Sequence, residues 1–332
     1  MKNSFGIQKM NEFMKIKRFF TEYAHDILNT LYEAEKGNII IKMDSDQLQM
    51  RPKLIKFIQD FARCHKYSDS TVHLGVYILD VYMDTYILSN YFEHQKLMSL
   101  VCLLLAAKSE EIDEAVPSIK DLLMIIDMSQ DIGVDFKCID KYDSKSINSA
   151  YKTFAGMYCK LEYLIFESLY FNTVRPTTMT FIKIFQTVIV SESDIKDVEK
   201  GCEKSCETLG DLRLSALEYI KEFSEIIIVD VAFFNIQPSK IAAAILCATR
   251  KLLKIKKFWT ETLSQLTRYK FDEIQNLMMS LNEKRNASLY LHTNVDFEMR
   301  DSGYVSPDSG SETDEVEKKK HKRQKMDFSR FN

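Results

Sequence analysis

The chain has 332 residues, with 48 Asp and Glu against 45 Lys and Arg, a net charge of −3, and 45% hydrophobic residues. That is enough apolar material for a core in about one to three domains, which excludes a chain disordered throughout, and the near-neutral balance argues against a protein that coats nucleic acid. Nine Gly and five Pro leave no Gly-rich phosphate loop and too few turn residues for a many-stranded sandwich, so the composition points to an all-α protein.

In chain order, the opening MKNSFGIQKMNEFMKIKRFF interleaves charge with apolar residues and has no apolar h-region, so it does not read as a signal peptide. No run approaches the ~18 apolar residues of a membrane span, and no membrane partner is expected. Tyr23-Ala24-His25-Asp26-Ile27 sits in an amphipathic stretch that reads as an N-terminal helix, with residues 1–45 taken as this helix and a linker. Pro52 opens the next helix, where a missing N–H costs nothing. Val72, Val76, Leu79 and Met83 then fall on one face of a 3.6-residue period, as do Leu97, Val101 and Leu104. Five helices are predicted at about 52–66, 70–87, 94–107, 117–128 and 148–169, within a first unit of 46–175. Five more follow at 177–190, 211–227, 238–254, 260–268 and 271–283, within a second unit of 176–290.

Residues 129–147 and 192–209 have weak periodicity and read as exposed excursions. From 291 a tail is expected, acidic and Ser-rich over Asp301–Glu317 and basic over Lys318–Lys325; neither half can bury a core, so it reads as disordered. The seven cysteines, Cys64, Cys102, Cys138, Cys159, Cys202, Cys206 and Cys247, form no C-x-x-C pair and read as reduced packing residues. Cys202 and Cys206 lack a well-placed His or second Cys pair, so no metal and no cofactor are expected. No nucleophile elbow, zincin motif or phosphate loop is present, and the chain does not read as an enzyme.

Lys108 ends an otherwise apolar stripe, and Glu162 lies between Tyr158 and Ile165 on another. A carboxylate on an apolar face needs a cationic partner. Two readings stand: Lys108 and Glu162 pair with each other, or both reach a third body. Arg51 and Asp80 offer a further opposite-charge pair on the inner sides of their helices.

Four motifs then occur in order. Met50-Arg51-Pro52-Lys53-Leu54 resembles the M-R-x-x-L opening of the cyclin box, and Thr71-Val72-His73-Leu74-Gly75-Val76-Tyr77-Ile78-Leu79-Asp80 is similar to its T-x-H-L-A-x-x-Y-x-D helix. Leu105-Ala106-Ala107-Lys108-Ser109-Glu110-Glu111 looks like L-A-x-K-x-E-E, and the helix through Leu161-Glu162-Tyr163-Leu164-Ile165 ends in Leu169-Tyr170-Phe171, like the family's L-x-F. Asp230-Val231-Ala232-Phe233, Gln237 to Ala244 and Phe258-Trp259-Thr260-Glu261-Thr262-Leu263 resemble the second box. The resemblance spans about residues 20–285, and the excursion and tail are most similar to the J-type branch.

This resemblance implies two tandem five-helix cyclin boxes and a regulatory subunit that activates a cyclin-dependent kinase. It implies that Arg51 and Asp80 pair internally, and that Lys108 and Glu162 meet backbone groups around the kinase C-helix with Phe171 beside them. Tyr23, Asp26 and Ile27 match the Y-x-x-D-I helix that touches the kinase. Met50, Arg51, Leu54, Phe57 and Asp60 match the patch that holds R-x-L substrates or inhibitors. Phe57 replaces the usual Trp, Lys56 a common acid and Lys96 a common Gln, which weakens binding of Arg-bearing peptides. Competing readings are a cyclin-fold scaffold that activates no kinase and a transcriptional cyclin.

In the tail, Asp301-Ser302-Gly303-Tyr304-Val305-Ser306 matches D-S-G-x-x-S, the phosphodegron read by a ubiquitin ligase adaptor of the beta-transducin-repeat type. Lys318, Lys319, Lys320, Lys322, Arg323 and Lys325 have the composition of a nuclear localisation signal, giving the nucleus as the expected compartment with the cytoplasm as alternative.

Overall fold

The computed structural model describes residues 24–42, 46–88, 92–122, 144–173, 175–198 and 208–301. Among them the regular structure is helical, apart from one antiparallel bridge between Val198 and Ile255. The elements are α1 (Ala24–Glu35), α2 (Arg51–His65), α3 (Asp69–Thr85), α4 (Phe92–Glu110), α5 (Ser144–Ser168), α6 (Thr178–Phe185), α7 (Glu192–Asp197), α8 (Leu209–Val229), α9 (Pro238–Leu252), α10 (Glu261–Thr267) and α11 (Phe271–Asp301).

Local chemistry sets the helix ends. Pro52 and Pro238 stand in the first turns of α2 and α9. Lys66 adopts a left-handed φ of 59°, which stops α2 and lets the Tyr67 N–H donate to Ala62 O at 2.9 Å. Thr208 and Asp211 cap α8 reciprocally, the Thr208 hydroxyl accepting from Asp211 N and the Asp211 carboxylate accepting from Thr208 N, each at 3.1 Å.

Two cores result. In the first, α4 is buried at every residue from Leu97 to Ala107, so it runs through the middle with α2, α3 and α5 around it. Leu54 and Ile58, Ile78 and Leu79, and Ile165 close on it from those three helices, with Leu169 just past the end of α5. Gly75 permits the α3–α4 approach: a Cβ there would stand 3.1 Å from the Leu103 Cα. In the second, α9 is buried throughout Ile241–Arg250, and Phe181, Phe185, Phe223, Ile274 and Met278 pack around it. The N-terminal helix α1 belongs to this second core, through Leu28 and Tyr32, whose ring lies 5.3 Å from that of Phe181.

Some expected boundaries are corrected. Within the expected 192–209 excursion, Glu192–Asp197 are helical, and residues 199–207 lie outside the described residues. Ser191 and Asp194 cap the short helix α7, and Asp194 forms a buried ion pair with Arg250 at 2.8 Å, where Arg250 also donates to Lys257 O and Phe258 O. Burial raises the Asp194 carboxyl, but bonds from Arg250 and Ser191 outweigh it and hold the group below its ordinary value. Helix α5 begins at Ser144, inside the expected 129–147 excursion, and α11 runs on to Asp301. Of the expected helix at 117–128, residues 119–122 are helical and the remainder lies outside the described residues.

Candidate functional site

Lys108 stands in the last turn of α4, where the all-round burial of that helix ends, and Glu162 lies on α5 beside it. Lys108 Nζ bonds Glu162 Oε1, and the ammonium sits 5.6 Å from the centre of the Tyr158 ring, one turn back along α5. The Tyr158 hydroxyl donates to the same carboxylate oxygen at 3.5 Å; burial, followed by the charge of Glu162, pushes that phenol well above its usual range. Of the two readings for these residues, the free chain adopts the mutual pair. The pair remains reachable, however, with side chains 45% and 19% exposed. An ion pair at such a surface contributes only about 0–1 kcal/mol, so a partner displaces it cheaply.

Next to this pair the surface turns aromatic. Phe171 is 63% exposed and lies flat against Phe166 (centroids 6.3 Å, planes 8° apart), with the exposed Tyr163 ring edge-on at 5.9 Å. Tyr170 is 79% exposed. Tyr170 and Phe171 both have positive φ, 52° and 58°, a conformation costing about 1–2 kcal/mol for each non-glycine residue. The turn is closed by Phe171 N donating to Phe166 O at 2.8 Å. The sequence pointed to Phe171 but gave no signal for Tyr163 and Tyr170. Neither the left-handed turn nor the outward aim of those rings is written in apolar periodicity.

Arg51 and Asp80 form a bidentate pair at 2.7 and 2.8 Å, almost wholly buried. Arg51 also donates to the carbonyls of Ile228 and Val229 at the end of α8, at 2.9 and 2.6 Å, and its guanidinium lies 4.6 Å from the Phe234 ring centre. It therefore ties α2 to the end of α8, whose Ile228 packs into the first core, a link its position in the sequence did not indicate. Burial pushes the Asp80 carboxyl up, against the pull of the two Arg51 bonds.

This placement leaves little of the anticipated peptide groove on α2. Leu54 is 0% exposed and Arg51 is occupied, so neither presents surface to a ligand. Met50 and Phe57 are half-buried and Asp60 is exposed, its carboxylate paired with Arg63 at 2.8 Å. On α1, Asp26 and Ile27 are exposed, whereas Tyr23 lies outside the described residues. His73 is half-buried, and burial pushes its imidazole down to about 4, which leaves it neutral at pH 7. Cys202, Cys206, the D-S-G-x-x-S side chains and the basic run Lys318–Lys325 also lie outside the described residues. No helix of the described chain is long and apolar enough to cross a membrane.

Comparison with known families agrees with this architecture. The family model for the cyclin N-terminal domain matches residues 26–173, and that for the cyclin C-terminal domain matches residues 176–296. The chain belongs to the cyclin family, whose domains are regulatory rather than catalytic. It is 28% identical to Cyclin-J of Xenopus laevis over 251 residues, covering 76% of this chain and 59% of that protein, and 27% identical to human Cyclin-J over the same length. Cyclin-A2-1 of Arabidopsis thaliana is 24% identical over 277 residues, 80% of this chain. The matched region thus spans a little over half the length of these relatives.

Proposed function

We propose that this chain is the regulatory subunit of a cyclin-dependent kinase and activates it by clamping the kinase C-helix. The observation that carries the reading is the exposed Lys108–Glu162 pair beside the outward-facing Tyr163, Tyr170 and Phe171. The ammonium donates to, and the carboxylate accepts from, backbone groups at the end of that helix, while the aromatic rings cover its apolar side. Contacts made only in the helix-in state shift the kinase toward the conformer whose catalytic Lys–Glu pair is formed. Moving such an equilibrium from 1:99 to 99:1 takes about 5.5 kcal/mol of differential affinity, within reach of an ordinary protein interface.

The test is the kinase activity recovered with the tagged chain from cells, wild type against Lys108→Ala/Glu162→Ala. Activity present with the wild type and lost with the double variant supports the reading. If neither sample carries kinase activity although both are folded, the chain is a cyclin-fold scaffold.

The tail adds regulation to this reading. Phosphorylated Ser302 and Ser306 recruit a ubiquitin ligase adaptor, and alanine at both positions lengthens the cellular half-life. The basic run Lys318–Lys325 directs nuclear import, and its deletion moves the protein to the cytoplasm. An unchanged half-life or an unchanged nuclear signal refutes the respective part.

A further inference from the structure

Residues 36–42 connect α1 to the first core, and little of their polar backbone is bonded within the segment itself. The Arg175 guanidinium, from the connection between the two cores, donates to Gly37 O. The Asn38 side chain donates to Pro176 O at 3.2 Å. Ile39 N donates to the Tyr77 hydroxyl of α3 at 2.9 Å, and Lys42 N to the Asp84 carboxylate of α3 at 3.1 Å. Between these two, Ile41 is gripped from the turn between α8 and α9: its N–H donates to Asn235 Oδ1 at 2.8 Å, and its carbonyl accepts from Asn235 Nδ2 at 2.7 Å. Asn235 adopts a left-handed φ of 58° to do so, in the turn between α8 and α9. Ile41 is buried in the first core, whereas Ile40 is 71% exposed.

The segment is anchored at its start by α1. Glu35, also buried, accepts from Ser239 N at 3.0 Å and from the Ser239 hydroxyl at 2.7 Å, at the N-terminus of α9. Tyr32 donates to Thr267 O at 2.8 Å beneath the Arg268 guanidinium. One continuous stretch therefore bonds in turn to the start of α9, the inter-core connection, α3, the α8–α9 turn and α3 again. Seven residues of ordinary linker need none of these bonds. Asn is suited to position 235 because it tolerates a left-handed φ and carries both a donor and an acceptor on one planar amide.

From this geometry we infer that residues 36–42 are a strap that orders the α8–α9 turn of the second box against the first, so that the two boxes hold one relative orientation. The proposal concerns the free chain and does not depend on the kinase reading.

The test is amide hydrogen exchange on the full chain, wild type against Tyr77→Phe/Asn235→Gly. Phe keeps the ring of Tyr77 without its hydroxyl, and Gly keeps the left-handed backbone of Asn235 without its amide. Exchange at Ile39 and Ile41 is expected to accelerate about ten-fold or more, as bonds of this kind are lost. Exchange across residues 233–236 should accelerate with it, while the cores of α4 and α9 stay protected. Unchanged exchange at Ile39 and Ile41 overturns the strap. Acceleration there with 233–236 unchanged overturns its role in ordering the second box. Should the double variant not fold, the single variants Tyr77→Phe and Asn235→Gly give the same readouts at their own amides, Ile39 and Ile41 respectively.

Discussion

Arg51 makes four hydrogen bonds, two to Asp80 and two to the carbonyls that end α8, with both charged side chains nearly free of solvent. Removing the guanidinium alone leaves a buried carboxylate without its cation and two carbonyls without donors. Arg51→Ala is therefore expected to cost about 3–5 kcal/mol, read as the shift in the urea midpoint, whereas an Arg51→Met/Asp80→Leu double variant costs less than the single change. Motif position alone made the same side chain a candidate both for the internal pair and for a peptide groove. Burial decides between these roles, because a guanidinium held in the core on four sides has no face left for a ligand. The Lys108–Glu162 pair differs in environment more than in chemistry. It lies at the surface, so its loss should hardly affect stability and should be felt in partner binding.

At the scale of elements, the turn after α5 is held in a conformation that bulky residues adopt at a cost. Tyr170→Gly separates its structural from its binding role. Glycine relieves the left-handed strain but adds unfolded-state entropy, two effects of about 1 kcal/mol that oppose each other, so thermal stability should stay within about 1 kcal/mol of wild type. Loss of an exposed aromatic anchor should nevertheless weaken kinase capture about ten-fold or more, measured by titration with purified kinase. Equal affinity for the two proteins would remove Tyr170 from the proposed interface. Periodicity found α2, α3 and α9 to within a few residues because each carries an apolar face and a proline or cap at its start. It missed α7, whose six residues are too few to show a period and whose importance rests on one carboxylate reaching Arg250.

That second buried pair gives the molecule a pH dependence. The Asp194 carboxyl is held below its ordinary value in the folded chain, so its contribution is complete at neutral pH. It is lost as pH falls through the ordinary carboxylate value of about 4 toward the lowered one. Asp194→Asn should accordingly be less stable than wild type at pH 7, with the difference in unfolding free energy shrinking steadily between pH 5 and pH 3. A difference independent of pH would show that the charge of Asp194 contributes nothing to stability.

The helical class and two successive helical units are legible in apolar spacing and prolines, and the boxes in the motifs that resemble the family, because all of these are local properties of the chain. Tertiary structure alone decided that α1 belongs to the second core, that Arg51 reaches across to the end of α8, and that Asn235 grips Ile41 from 194 residues away. Each of these joins polar groups far apart in sequence, and their pairing is fixed only when the packed helices bring them within hydrogen-bonding distance.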